Sequence, residues 1–195
     1  MTKFVTTIGY TVYVPTRESI ADMGAESFAV LAHEYRHAKD AQKYTRIIFG
    51  LLYLLPQAIG ALGLLFTLIL VPLLIFGIVS WSLHLLPFIL VSLLLLPVPA
   101  YFRMKSEVEG YTMSMFVAHE LQKNRDILAW DRAKLLTIMA QNYNLHFINS
   151  NYYYMWPFGV EKKLIQAAEK ILIEELVDSN PIYADVLDAL KASKS

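Results

Sequence analysis

One stretch constrains the fold of this 195-residue chain more than any other, because residues 47–102 contain no Asp, Glu, Lys or Arg. His84 is the one group in these 56 residues that titrates near neutral pH. A helix needs about 20 apolar residues to cross the hydrocarbon core of a bilayer, so the stretch is long enough for two crossings and a tight connection. The alternative is a buried hairpin in a soluble core. Core helices usually carry a polar stripe, and this run has almost none.

We expect the two membrane crossings near residues 47–71 and 76–100, with the turn between Pro72 and His84. Basic residues flank both ends of the run, whereas the connection carries none. These flanking residues are Arg36, Lys39, Lys43, Arg46, Arg103 and Lys105. Short cytoplasmic segments are enriched in Lys and Arg. The pattern therefore predicts a two-pass integral membrane protein with both termini in the cytoplasm.

The composition excludes several classes of function. Hydrophobic residues make up 56% of the chain and charged residues 17%. This composition is more apolar than is usual for a soluble domain. The formal net charge is zero, and the lack of a basic excess argues against nucleic acid as a partner. The chain has no cysteine, which excludes disulfides and thiolate zinc sites. Residues 1–7 lack the long apolar core of a cleavable signal peptide.

Just before the apolar run, residues 33–37 read His-Glu-Tyr-Arg-His, an H-E-x-x-H pattern within a helix predicted over residues 25–44. Positions four apart on a helix lie on one face, so His33 and His37 can direct two imidazoles at one metal ion. Glu34 lies one residue round the helix, where it can activate a water on that ion without binding the ion itself. A tetrahedral site needs further ligands from elsewhere. The alternative is a polar surface helix that carries two histidines.

The apolar run is followed by a helix predicted over residues 101–119, and this helix carries Glu107 and Glu109. Two antiparallel membrane helices return the chain to the side from which it left. The helix should therefore emerge beside the histidine pair and supply a third ligand. Glu107 and Glu109 are about 200° apart on a helix, so they cannot both face one metal. Arg103, Glu107 and Tyr111 share a face, but from spacing alone the choice between the two glutamates stays open.

An H-E-x-x-H helix, a membrane hairpin and a second helix bearing Glu107-Val-Glu-Gly110 together resemble the membrane gluzincins. That group includes the CAAX prenyl endopeptidases and the HtpX-type heat-shock proteases, and the chain is also similar to short peptidase-like proteins of bacteria and phages. The resemblance covers about residues 28–115 and implies that Glu107 is the third zinc ligand. Two features depart from the pattern. Tyr111 stands where the group commonly has Asp, and the sequence shows no counterpart of its additional N-terminal membrane helices.

These observations predict a mainly α, membrane-anchored protein with a minimal zincin-like core, acting as a zinc-dependent endopeptidase on a peptide or protein substrate. The expected Zn²⁺ ligands are His33, His37 and Glu107, with water as the fourth. Glu34 would serve as general base, while Tyr111 or Arg103 would polarise the substrate carbonyl. The main alternative is a non-catalytic, membrane-anchored structural or assembly protein with the same fold. A holin-like pore former would leave the H-E-x-x-H pattern unexplained.

We expect residues 1–46 and 103–195 to form one soluble domain that the hairpin of residues 47–102 interrupts. Residues 4–14 are rich in β-branched and aromatic side chains, which predicts a strand or a short hairpin bent at Gly9. Such a strand could pair with an extended peptide or serve as a plain structural edge.

The C-terminal region is predicted to contain helices at residues 126–143, 160–177 and 181–192, the last of them capped by Asn180. The aromatic segment 149–159 could line a cleft, lie at the lipid interface or pack under the metal helix. Three further polar residues can be interpreted without a metal ligand role. His119 and His146 are expected to be ordinary polar groups, and Asp40 is either a partner for an imidazole N–H or a solvated charge.

Overall fold

The structure is a computed structural model that describes residues 5–14, 25–96, 99–123, 128–148 and 155–193. The strands are β1 (Thr6–Ile8) and β2 (Thr11–Tyr13). The helices are α1 (Ala25–Tyr44), α2 (Arg46–Tyr53), α3 (Gln57–Ile75), α4 (Leu86–Val91), α5 (Tyr101–Lys123), α6 (Ala129–Ile148), α7 (Val160–Leu172), α8 (Glu175–Ser179) and α9 (Pro181–Ala192). The described chain is mainly helical with one two-stranded sheet, which confirms the predicted fold class at that level.

The N-terminal segment forms a hairpin, one of the two predicted possibilities. β1 and β2 pair antiparallel, with Thr6 opposite Tyr13. Gly9 lies in the turn with φ +64°, a conformation that glycine adopts at no steric cost. The Thr7 hydroxyl donates a hydrogen bond to the Glu34 carbonyl at 3.0 Å. This bond fixes the hairpin against α1 beside the H-E-x-x-H pattern.

The helix predicted over residues 25–44 is confirmed as α1, and its most extensive partner is α5. The two helices approach closely at Gly110, where an added Cβ would lie 2.7–2.9 Å from the ring atoms of His33. Four residues on, the Ser114 hydroxyl donates to the Ala29 carbonyl at 3.0 Å. Small side chains on α5 therefore set the distance between the two helices.

The core surrounds α5, which α1, α6, α7 and α9 all contact. Apolar side chains from several helices fill the space between them. The largest fully buried ones are Met104, Met113, Met115, Leu136, Leu164 and Ile171. Burying each such side chain contributes about 1.5–3 kcal/mol relative to leaving it exposed. α5 is thus held in a fixed position, and it carries Glu107 with it.

The apolar run forms a different set of helices from the predicted pair. The prediction of one continuous helix over 47–71 is wrong. α2 ends at Tyr53, and α3 begins after the cis Leu55–Pro56 bond. Proline has no N–H to continue the first helix but is tolerated where the next begins. The connection follows Ile75 and precedes Leu83, so it lies within the range predicted for the turn, between Pro72 and His84, and Pro72 itself lies inside α3.

The returning arm is short and irregular rather than one helix over 76–100. It consists of α4 between two 3₁₀ segments, Leu83–Leu85 and Ser92–Leu95. The arm packs antiparallel to α3. A Cβ at Gly60 would lie 2.5 Å from the backbone of Leu95, and a Cβ at Gly63 would lie 2.7 Å from that of Ser92. The two arms therefore touch backbone to backbone at the glycines.

Of the described residues, α3 alone forms a helix long and apolar enough to cross a membrane, judged by length and composition. The apolar segment Leu86–Leu95 is shorter. Many large apolar side chains on this hairpin are exposed, among them Leu62, Leu65, Leu68, Ile69, Ile75 and Phe88.

The C-terminal helices follow the prediction with shifted boundaries. α6 covers 129–148 rather than 126–143, and the helix predicted over 160–177 is divided at Glu174, whose φ is +61°. α9 has the predicted bounds, and the Asn180 side chain accepts a hydrogen bond from the Ile182 N–H at 3.1 Å. The sequence Ser19-Ile-Ala-Asp22 resembles a capping box ahead of α1, and these residues lie outside the part of the chain that the structure describes.

Candidate metal site

Three side chains from α1 and α5 converge where the two helices meet. The Nε2 atoms of His33 and His37 are 3.0 Å apart. Glu107 Oε2 lies 3.3 Å from His33 Nε2, and Glu107 Oε1 lies 3.5 Å from His37 Nε2. All three residues are buried. One turn of α1 supplies the two imidazoles, and α5 supplies the carboxylate.

This geometry fits a bound metal ion. Ligand atoms about 2.0–2.1 Å from a tetrahedral Zn²⁺ are roughly 3.3 Å from one another. The two imidazole nitrogens are 3.0 Å apart, and each lies 3.3 or 3.5 Å from one of the two carboxylate oxygens of Glu107, which is close to that value. Among the described residues, His33, His37 and Glu107 form the one group of His, Asp or Glu ligands arranged in this way. They could therefore bind a metal ion, and the geometry leaves its identity open.

Two hydroxyl groups orient the ligands. Ser106 Oγ lies 3.1 Å from His37 Nδ1, which leaves Nε2 of that ring for a metal. The Tyr53 hydroxyl donates to Glu107 Oε1 at 2.5 Å. Asp40, predicted as a possible partner of an imidazole, instead lies 3.3 Å from Arg36. Ser106 takes that position.

The sequence analysis missed two site residues, Ser106 and Tyr53. Tyr53 belongs to α2, inside the apolar run that was interpreted as a membrane helix. One sequence signal points to it. A tyrosine hydroxyl is rare in this run, and Tyr53 lies three residues before Pro56, where a continuous crossing is interrupted.

The structure brings Glu107, and not Glu109, to the histidine pair. Glu109 forms an ion pair with Arg36 on α1, and Arg36 also bonds to Asp40. The separation follows from helix geometry, since residues two apart differ by about 200° in direction. Each glutamate thus has its own partners on α1.

Burial and mutual contact shift the pKa values of the group in opposite directions. Burial alone would lower the pKa of His37, but the hydrogen bond and charge of Glu107, with the charges of Glu34 and Asp40, raise it. Burial alone would raise the pKa of Glu107, but hydrogen bonds and charge from His33 and His37 hold it well below its ordinary range. A metal ion needs neutral imidazoles. Protons therefore compete with a metal for this group.

The ligand group lies on the wall of an open cleft of about 570 Å³. Residues of β1, α1 and α2 line this cleft. They are Val5, Thr6, Thr7, Ile8, Gly9, His33, Glu34, His37, Arg46, Phe49, Gly50, Tyr53, Leu54 and Glu107. Glu34 is a half-buried member of the lining that stands outside the ligand group. The ligand group thus faces an open cavity that also contains the carboxylate of Glu34.

Arg103 and Tyr111 support the site from buried positions. The Arg103 guanidinium lies 4.9 Å from the Tyr53 ring centre, and its Nε donates to the Tyr53 carbonyl at 3.3 Å. Tyr111 meets the edge of the His33 ring at 4.8 Å and stacks on Tyr143 at 4.4 Å. Neither residue belongs to the described cleft lining. Their contact with a substrate carbonyl stays a prediction.

The two lone histidines stand apart from the ligand group. His119 is 2% exposed, and its Nδ1 lies 3.4 Å from Glu120 Oε1. The His146 ring stacks on Tyr111 at 5.7 Å.

Comparison of the chain with protein-family models, curated proteins and solved structures finds no match. The resemblance to membrane gluzincins therefore rests on the motifs and the site geometry of this chain alone.

Proposed function

We propose that the protein is a membrane-anchored zinc endopeptidase with His33, His37 and Glu107 as its zinc ligands. One observation carries the proposal: three buried side chains that could hold one metal ion lie on the wall of an open cleft, beside Glu34, which is outside the ligand group. Structural zinc sites are closed by four protein ligands, whereas catalytic sites have three and keep one position open. The arrangement favours catalysis over a purely structural role.

Zn²⁺ suits a donor set of two imidazole nitrogens and one carboxylate. When bound, it would act as a Lewis acid that lowers the pKa of a water molecule and polarises the substrate carbonyl. The protein's own contribution is to hold the ligand side chains in a fixed orientation. Ser106 orients His37, and Tyr53 orients Glu107, through the hydrogen bonds described above.

Glu34 is the proposed general base and acid. Its carboxylate accepts a proton from the attacking water as the water oxygen bonds to the carbonyl carbon. The same proton then passes to the leaving amine as the C–N bond breaks, so that water is consumed and two peptides form. Glu34 is placed for this role because it neighbours a ligand in sequence and lines the cleft without joining the ligand group.

The hairpin supports a peptide as substrate. Residues 5–9, which include β1, line the cleft, and in the described part of the chain β1 pairs with β2 alone. One edge of β1 is therefore available for main-chain hydrogen bonds to an extended peptide. A peptide bound along this edge would pass the ligand group, since Thr7 is bonded to the carbonyl of Glu34.

The membrane part of the proposal is a two-pass hairpin with both termini in the cytoplasm. α3 has the length and composition of a crossing helix. Its antiparallel partner returns the chain to α5, beside α1, and basic residues flank both ends of the apolar run. These features support the positive-inside orientation.

Metal analysis and peptide hydrolysis with matched variants test the proposal. Purified protein loaded with zinc should hold about one ion per chain. His33→Ala and His37→Ala should lose the ion, whereas His146→Ala, outside the ligand group, should retain it. Glu34→Gln should keep the zinc and lose at least about 100-fold in hydrolysis of unstructured peptides, in line with the contribution of general bases.

Two results would separate the alternatives. A wild-type protein that binds no zinc on loading would refute the metal site. A protein that binds zinc but cleaves peptides no faster than its Glu34→Gln variant would instead support the non-catalytic structural or assembly role.

A further inference from the structure

Helix α2 has two faces with different surroundings. Arg46, Phe49, Gly50 and Tyr53 line the metal cleft at the i, i+3, i+4, i+7 spacing of one helical face. The opposite face carries Ile47, Ile48 and Leu51, which are 75%, 50% and 53% exposed. The helix has no buried residue. Its outer face is thus a strip of large apolar side chains without a protein partner in the described structure.

A second apolar surface lies where the returning arm meets α5. Tyr101 and Phe158 are both exposed, and Trp156 lies between them with ring-centre distances of 6.1 Å and 5.4 Å. A parallel bridge between Ala100 and Met155 joins the two segments. We call these three residues the aromatic cluster. Tyr and Trp are enriched at the level of lipid headgroups.

Both surfaces adjoin the ends of the apolar hairpin and exposed basic residues. α2 precedes α3 across Leu54–Pro56, and Tyr101 begins the helix that follows the returning arm. Lys43, Arg46 and Lys105 are exposed nearby in sequence. Basic side chains at this position are attracted to anionic lipid headgroups.

We propose that the outer face of α2 and the aromatic cluster lie in the interfacial layer of the bilayer, so that the metal cleft opens at the membrane surface. The bilayer is the favoured occupant because the apolar strip continues into the exposed apolar surface of α3. Amphipathic helices bury their apolar face at the boundary of headgroups and acyl chains. This inference rests on the membrane anchoring proposed above, and it is independent of zinc and of hydrolysis.

The position of the site follows from α5. Glu107 is six residues beyond Tyr101, which is about 9 Å along a helix. Tyr53, at the end of α2, reaches Glu107 directly. The ligand group would therefore lie within roughly 10 Å of the interfacial layer. A peptide segment that emerges from the membrane is the substrate class that this position selects.

Site-specific labelling can test the depth of these residues, because the natural chain has no cysteine. Single-cysteine variants Leu51→Cys and Phe158→Cys report on the two surfaces. Leu68→Cys on α3 reports on the hydrocarbon core. Trp130→Cys is the control, since it is 76% exposed and belongs to α6. Trp130 comes after the C-terminal end of α5 in the chain, and that end lies about 33 Å from Tyr101 along the helix.

Each variant is labelled with an environment-sensitive fluorophore and reconstituted into vesicles of phosphatidylcholine and phosphatidylglycerol. We expect nitroxide lipids labelled near the headgroup to quench positions 51 and 158 at least about threefold more than position 130. Position 68 should be quenched most by nitroxide near the acyl-chain end.

Two results would overturn the inference. Positions 51 and 158 could resemble position 130 while position 68 is still quenched, so that the anchor stands and the interfacial placement fails. They could also be protected from water-soluble thiol reagents without quenching by lipid nitroxide, which would show a second copy of the chain on this face. Loss of quenching at position 68 as well would refute the anchor itself.

Discussion

The Tyr53 hydroxyl shows how a single polar atom can link the apolar run of this chain to its candidate metal site. It donates to Glu107 at 2.5 Å, and the Arg103 guanidinium lies over the same ring. The carboxylate is therefore oriented by a residue that precedes the long apolar helix. Partners that orient a metal ligand typically contribute 10–100-fold to metal affinity or activity.

We expect Tyr53→Phe to weaken zinc binding by about 10-fold or more, because the variant removes the hydrogen bond and keeps the ring. Tyr44→Phe is the matched control, since Tyr44 packs on Phe102 and lies outside the cleft. Competition with a chromophoric chelator measures both affinities. Equal affinities in the two variants would show that Tyr53 has no role in holding Glu107.

Single-residue variants can also test which of the two glutamates is the third metal ligand. Glu107→Ala should lower zinc affinity by at least about 100-fold, more than the loss of an outer hydrogen bond, because it removes a ligand. Glu109→Ala should retain zinc and lose only the ion pair with Arg36. Metal content after dialysis distinguishes the two. The reverse result would assign the third ligand to Glu109.

At the scale of elements, the site depends on the close contact of α1 and α5. Gly110 lies so close to the His33 ring that a methyl group at this position would overlap with the ring atoms. An imidazole packed at its edge against Tyr111 has little room to move away. The separation of the two helices and the position of a ligand are therefore set by the same glycine.

Gly110→Ala is expected to destabilise the fold by about 1–3 kcal/mol, as overpacked cores do, and to weaken zinc binding. Gly50→Ala provides the control, because it also lies inside a helix but has no atom within 4 Å of its added Cβ. That variant should gain up to about 1 kcal/mol from helix propensity. Thermal unfolding with and without zinc measures both effects, and similar stabilities would refute the close-contact argument.

At the scale of the whole molecule, the proposed membrane anchor would fix how the parts lie relative to a bilayer. The described chain has one helix of spanning length and a shorter, irregular returning arm. A complete hairpin and a single crossing both place the connection after Ile75 on the side opposite the N-terminal hairpin, whereas a re-entrant loop places it on the same side. The side of the connection and the side of the C-terminal helices together therefore decide the topology.

Cysteine variants at Thr11, Ile78 and Lys191 should separate these topologies with an impermeant thiol reagent on sealed, oriented vesicles. All three residues are exposed. The two-pass proposal predicts that positions 11 and 191 react from the same side and position 78 from the other. Positions 11 and 191 on opposite sides would indicate a single crossing, and all three on one side would indicate a re-entrant loop.

The sequence by itself determined the features that follow from local pattern. Helical periodicity was sufficient for the end of α1 at Tyr44, and capping by Asn180 was sufficient for α9, whose bounds were predicted to the residue. The spacing of His33 and His37 places both imidazoles on one face of α1 in any tertiary context. For residues 4–14, the sequence left only the choice between a single strand and the hairpin of β1 and β2. Such features depend on neighbours within a few positions along the chain.

Tertiary structure alone decided what depends on the phase and position of distant helices. Whether Glu107 or Glu109 faces the histidines depends on how α5 is rotated against α1, and spacing within one helix cannot fix that rotation. The role of Tyr53 depends on the packing of α2 against α5, which brings the Tyr53 hydroxyl to Glu107. The returning arm packs against α3 at Gly60 and Gly63, where the backbone contacts are long-range. Hydropathy reports apolar length and not helix continuity, so the sequence could predict the apolar hairpin but not its shape.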